Sequence, residues 1–203
     1  MLERIIESTR RRVAASLRAV PFDDVAAMAA QASPPLDLAA ALGRPGLQLI
    51  AEVKRRSPSR GELRPDLDPA ALAAAYAAGG AAAISVLTEP EHFGGSPADL
   101  AAVRAALQPG QALPILRKDF ILHPYQVVES RALGADAILL IVAALDDTEL
   151  AALSAEAERW GLAVLVEVHD EAEMARALAL QPRIVGINSR NLRTMEADLG
   201  VVE

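Results

Sequence analysis

The stretch Leu47-Gln48-Leu49-Ile50-Ala51-Glu52-Val53-Lys54-Arg55-Arg56-Ser57-Pro58-Ser59-Arg60-Gly61 decides how this chain is read. An apolar run over 47–51 passes into charge, with Glu52 and Lys54 two positions apart. In a strand, that spacing points both side chains to one face. Either the polar end of a strand simply runs into solvent, or the strand carries an acid and a base into a pocket. Pro58 fixes its own φ and restricts Ser57, so 57–61 reads as a loop. The pocket reading gains weight only if similar strand ends recur. They do.

Upstream, 1–19 reads as an amphipathic helix, with Leu2, Ile5, Ile6, Thr9, Val13 and Leu17 in a helical stripe. Shorter helices follow near 23–31 and 36–42, separated by Pro34-Pro35. Residues 1–46 therefore form an N-terminal helical extension, placed either under a barrel or across its mouth. Downstream, strands are expected near 47–54, 81–87, 112–118, 136–142, 162–168 and 183–188. Helices are expected between them, near 69–78, 97–107, 124–133, 148–160 and 171–180. Several have explicit start signals: Asp68 before Pro69, Ser96 before Pro97 with Asp99 at N3, and Asp170 with Glu173 at N3.

The runs 137–142 and 162–166 are apolar on both faces, as a parallel sheet covered by helices requires. No Gly-x-Gly-x-x-Gly or Walker pattern follows any strand, which weakens the nucleotide-binding open sheets. Polar groups fall at four strand ends: Glu52 and Lys54; Lys118; Glu167; Asn188 and Arg190. They converge only if those ends ring a common centre, as on the C-terminal face of a barrel.

Each group has a bland alternative. Lys118 reads as a solvated lysine or as the best acid available, and Glu167 as a buried ion-pair partner or as a base whose pKa a dry setting raises. Asn188 can satisfy loop backbone, and Arg190 offers a fork suited to carboxylates and phosphates. Phe93 and Phe120 read first as core. In a chain with 3% aromatics, two on loops after strands also suggest stacking walls for a ring. His92, His123 and His169 read as caps or surface residues.

The composition narrows the class. A chain of 203 residues, 52% hydrophobic and 23% charged, supports a soluble domain with a sizeable core. A net charge of -7 argues against a general nucleic-acid surface. The absence of cysteine excludes thiolate chemistry and disulfides and fits a reducing, cytoplasmic setting. Three scattered histidines make a zinc site a poor expectation, and the N-terminus is neither a signal peptide nor a membrane span.

Residues 51–61, as quoted above, resemble the first-strand signature of indole-3-glycerol phosphate synthase, a barrel family of tryptophan biosynthesis. Four further motifs match in order and spacing. They are Ile84-Ser85-Val86-Leu87-Thr88-Glu89, Phe93-Gly94-Gly95-Ser96, Pro114-Ile115-Leu116-Arg117-Lys118-Asp119-Phe120-Ile121 and Gly186-Ile187-Asn188-Ser189-Arg190-Asn191-Leu192. The resemblance implies a lyase that closes an indole ring on 1-(2-carboxyphenylamino)-1-deoxyribulose 5-phosphate with loss of carbon dioxide and water. It implies Lys118 as general acid, Glu167 as the acid or base of dehydration, and Lys54 as a partner for the substrate's negative groups. Glu52 would set the protonation of the lysines, Asn188 would hold sugar hydroxyls, and Arg190 would face the anthranilate carboxylate. Ser57 and Pro58 would shape the first loop, with Phe93 and Phe120 lining the ring pocket. No metal or organic cofactor is implied, and the partner is a small anionic substrate rather than nucleic acid or membrane.

A full barrel takes about 250 residues. The expected fold is therefore an incomplete TIM (β/α)8 barrel: the extension 1–46, then a partial barrel over 47–203 with about six βα strands, strands 7 and 8 being absent. The family's Glu-Ser-Gly segment and later phosphate loop would fall in the absent part. Three expectations follow: weak turnover, unpaired edge strands that allow self-association, and, as an alternative function, a non-catalytic fragment that associates with a complementary piece. Another sugar-phosphate barrel enzyme is the alternative within enzymes.

Overall fold

Residues two apart on each strand leave to the same side, and here the two sides serve different cores. The structure, a computed structural model, describes residues 1–107, 112–190 and 200. Three helices come first, α1 (Leu2–Ala19), α2 (Phe22–Gln31) and α3 (Leu38–Leu42), followed by β1 (Ile50–Val53). A short hairpin, β2 (Arg56–Ser57) and β3 (Gly61–Glu62), interrupts the path to α4 (Pro69–Ala78) and β4 (Ala83–Leu87). Then come α5 (Pro90–Phe93), α6 (Pro97–Ala106), β5 (Ile115–Lys118), α7 (Pro124–Ala132) and β6 (Ala137–Ile141). A 3-10 turn, Val142–Ala144, leads to α8 (Asp147–Arg159), β7 (Ala163–Val168), α9 (Glu171–Leu178) and β8 (Ile184–Ile187).

The expected strand count is corrected. The described residues contain eight strands, and β7 and β8 are present, paired in parallel from Leu165↔Ile184 to Val168↔Ile187. The two strands missed from sequence are β2 and β3, an antiparallel pair inside the stretch read as a loop. Gly61, at φ +67, supplies the left-handed residue this tight reversal needs. The other six strands form one parallel sheet in the order β1-β4-β5-β6-β7-β8. Among the described residues the sheet is open and the fold barrel-like.

Inward-facing Ala83, Leu116, Ala137, Leu139 and Ile141 share a core with Leu2, Ile5 and Leu38 of the extension. The outward residues of β1, β4 and β5 pack against helices through Val53, Ile84, Val86, Leu100, Val103 and Ile115. Those of β6 and β7 pack likewise through Ile138, Leu140, Val166, Leu150 and Leu153. Each large apolar side chain fully buried this way contributes about 1.5–3 kcal/mol.

The extension lies neither only below the sheet nor only across its mouth. At the C-terminal end of β5, Arg12 of α1 holds Asp119 through a fork of 2.7 and 3.0 Å. Further down, Tyr125 of α7 donates to Ser16 O, and Arg131 donates to Ala32 O and Ser33 O. At the N-terminal end of β6, Asp136 accepts from the Leu36 amide at 2.8 Å. The extension thus runs the height of the sheet along α7.

Helix starts agree with their sequence signals. Ser96 and Asp99 form a reciprocal capping box on α6, and Asp68 caps α4. On α9 the Asp170 carboxylate accepts from Glu173 N–H, but the Glu173 side chain turns to His169 instead of completing a box.

Candidate active site

Alternation in β1 and β5 sets Glu52 and Lys118 on the inner side, and the parallel sheet brings those strand ends together across β4. Glu52 is paired with Lys54 through Oε1, and its Oε2 lies 3.4 Å from Lys118 Nζ. One carboxylate therefore sits between two ammonium groups. Burial works against its ionisation, and Lys118 and then Lys54 outweigh that, so Glu52 stays below the usual carboxylate range.

Glu167 leaves β7 on the inner side and is 9% exposed. Asn188 donates to its Oε1 at 3.2 Å, while the Asn188 side-chain oxygen accepts from the Arg190 amide at 3.0 Å. Dryness does not raise its pKa as the sequence reading expects. Burial pushes upward, but His169, Lys118 and Asn188 together hold Glu167 below its ordinary value. The charge of the neighbours wins over desolvation.

The aromatic wall is built by backbone anchoring. Glu89 accepts from three amides, Glu91, His92 and Phe93, and so starts the short α5 that carries Phe93. Gln126 accepts from the Leu122 amide and donates to Phe120 O, fixing the loop that carries Phe120. The two rings meet at 6.4 Å between centroids, tilted by 36°.

Facing them, the β2–β3 hairpin brings Ser57 and Pro58 over the site. Its base is tied down by the Arg55–Asp99 ion pair and by Arg55 donating to Leu67 O at 3.2 Å.

All ten residues singled out from sequence line one cavity of about 340 Å³: Glu52, Lys54, Ser57, Pro58, Phe93, Lys118, Phe120, Glu167, Asn188 and Arg190. Sequence reasoning missed Arg60, Leu63, Glu89 and Asp119, which line it too. Its carboxylates are committed to partners: Glu52 to lysines, Glu89 to amides, Asp119 to Arg12 and Arg117. His169, read as a cap or surface residue, is instead 7% exposed and lies between two carboxylates. His123 does cap α7, accepting from the Tyr125 amide.

The model of the indole-3-glycerol phosphate synthase family matches residues 2–203. The chain belongs to that family. It is 53% identical to the indole-3-glycerol phosphate synthase of Saccharopolyspora erythraea over 99% of this chain and 73% of the relative. It is 55% identical to that of a Nocardioides species over 96% of this chain and 74% of the relative. In fold alone it is like the carboxyl transferase domain of Rhizobium etli pyruvate carboxylase, with a TM-score of 0.53 and 14% identity over 71% of this chain and 27% of that one.

Membership of the indole-3-glycerol phosphate synthase family makes this a lyase of tryptophan biosynthesis that performs indole ring closure. The substrate is anionic, with a carboxylate and a phosphate, and the match sets aside other sugar-phosphate enzymes. Among the described residues no helix is long and apolar enough to cross a membrane. Asn191 and Leu192 of the last motif lie outside the described residues.

Proposed function

We propose that the cavity binds 1-(2-carboxyphenylamino)-1-deoxyribulose 5-phosphate and that the strand-end residues divide the chemistry of ring closure. The supporting observation is the common cavity: Lys118, Lys54, Glu52, Glu167, Asn188 and Arg190 share it with the Phe93–Phe120 wall. The carboxylated ring carbon attacks the ketone carbon, and Lys118 gives its proton to the oxygen as negative charge develops there. The carbon–carboxylate bond then breaks, and its electron pair restores the aromatic ring as carbon dioxide leaves. Lys118, reprotonated from solvent, protonates the new hydroxyl, which departs as water, and Glu167, held ionised, accepts the proton lost from the forming indole. Lys54 pairs with the substrate's negative groups and Glu52 pairs with both lysines. Arg190 faces the carboxylate, Asn188 positions sugar hydroxyls, and Ser57 and Pro58 shape the cover.

The division into a helical extension over 1–46 and a barrel-like part over 47–203 belongs to the same reading, as does a cytoplasmic location. Among the described residues β1 and β8 are the edges of the sheet, and backbone groups at such edges support self-association.

Product fluorescence tests the roles. Lys118→Ala and Glu167→Gln are each expected to lower kcat by about 10²–10⁴, the range for a positioned acid or base. Variants that keep their fold and turn over at the parent rate overturn the assignment.

A further inference from the structure

The roles just given leave the His169 side chain, 7% exposed, without a function. His169 follows Glu167 by two positions, just beyond the end of β7. Its Nδ1 lies 2.9 Å from Glu173 Oε2, and that oxygen also accepts from the His169 backbone N–H at 2.9 Å. Its Nε2 lies 3.4 Å from Glu167 Oε1, buried and without an aligned hydrogen-bond acceptor. Glu167 lines the substrate cavity, whereas His169 does not. Starting α9 does not require this arrangement, because Asp170 already caps that helix. Glu173 accounts for one ring nitrogen. The other is turned toward the carboxylate that faces the cavity.

We propose that His169 is a positioning residue for Glu167. Glu173, His169 and Glu167 form a carboxylate–imidazole–carboxylate relay that holds Glu167 Oε1 beside Asn188. This rests on Glu167 being the group that moves a proton in the reaction. The groups facing the ring are Glu167 from β7 and Glu173 from α9, and Lys118 of β5 faces Glu167 in turn. Burial works against the imidazolium, yet the two carboxylates outweigh it and the ring titrates above its ordinary range. The relay thus brings to Glu167 an imidazole whose protonated form is favoured, without occupying substrate space.

The test couples an NMR pH titration of the His169 ring, with His92 and His123 as internal references, to pH profiles of turnover. Glu167→Gln and Glu173→Gln should each move the His169 titration to lower pH. In His169→Gln the acid limb of kcat should move to higher pH, because Glu167 then stays protonated longer. On that limb kcat should fall about tenfold, well short of the 10²–10⁴ for removing an acid–base group itself. KM should stay within about twofold, since His169 does not touch substrate. Glu173→Gln should move the limb the same way by less, and it carries the kinetic test if His169→Gln does not fold. A ring titration indifferent to Glu167→Gln overturns the relay. A coupled titration with an unmoved acid limb overturns the positioning role. Retained turnover in Glu167→Gln instead overturns the reading of Glu167, so the two failures are distinguishable.

Discussion

Replacing Arg12 by methionine removes a charge from the extension while keeping an apolar stem of similar reach. The Asp119 side chain that Arg12 grips is completely buried, with 0% exposure. Asp119 has other partners: Thr88 Oγ1 at 2.7 Å, Arg117 Nη2 at 3.2 Å and the Phe120 amide at 2.8 Å. It is therefore not orphaned in Arg12→Met, which places the cost near the lower end of the ~3–5 kcal/mol for breaking a buried pair. With about 2–4 °C lost per kcal/mol in a chain of this size, a cost of ~3 kcal/mol lowers Tm by about 6–12 °C.

The single tryptophan, Trp160, packs against the cluster of Val25, Ala29, Tyr125 and Val128 that joins α2 to α7, so its fluorescence reports docking of the extension. Urea melts of Arg12→Met, Asp119→Asn and the double variant complete a cycle in which the two changes should couple. A coupling energy within about 0.5 kcal/mol of zero would refute the clamp. The pH dependence gives a second check. Burial opposes ionisation of Asp119, and Arg117 and Arg12 outweigh it, so its carboxyl sits below the usual range. Such a group contributes stability above its unfolded pKa of about 3.9, and that contribution is lost as pH falls through the lower folded value. Arg12→Met reduces the depression, so acid unfolding should begin at a higher pH than in the parent.

Glu52→Gln should leave Lys54 and Lys118 without their shared carboxylate and lower kcat on the order of tenfold, with the fold intact by circular dichroism. Glu52 is held below its ordinary pKa, so its pairing is present above about pH 4.3 and fades as pH falls through the folded value. Leu100→Ala removes a fully buried side chain from the core outside β1, β4 and β5, and denaturant melts should show a loss of about 2–5 kcal/mol. Gly95→Ala puts a methyl into the Leu87 carbonyl at the edge of the cavity, so it should cost at least ~1 kcal/mol, the low end for overpacking, and shift the α5 loop. An unchanged melt for either would contradict the packing described.

Periodicity and caps made the six parallel strands and the long helices legible, because apolar runs and Asp or Ser before proline act locally. The β2–β3 hairpin was not legible: its residues are polar, and the Arg55 that precedes it is anchored by Asp99, forty-four residues away. The candidate site was legible where side chains face inward at strand ends, as at Glu52, Lys118 and Glu167. Arg12 and Glu89 escaped notice because their partners are distant in sequence or are backbone amides. The sign of the pKa of Glu167 also escaped, since dryness can be read from flanking valines but the imidazole and lysine beside it cannot.

The Arg117-Lys118-Asp119 segment joins the helical extension to the cavity. Strand alternation sends Lys118 into the cavity and Arg117 the other way, where it is 0% exposed and bonds Thr88, Glu129 and Ser130. Asp119 then meets Arg117 from the strand side and Arg12 from the extension. A buried arginine is costly unless every donor is used, so Lys118 is flanked by a network that tolerates little displacement. Loosening Arg12 relaxes Asp119 first, and Asp119 precedes Phe120 directly. The effect on catalysis should therefore appear as lost alignment of Lys118 with the aromatic wall: a lower kcat and a KM for the aromatic substrate that rises with it. A stability loss with kcat and KM unchanged would confine the extension to a bracing role.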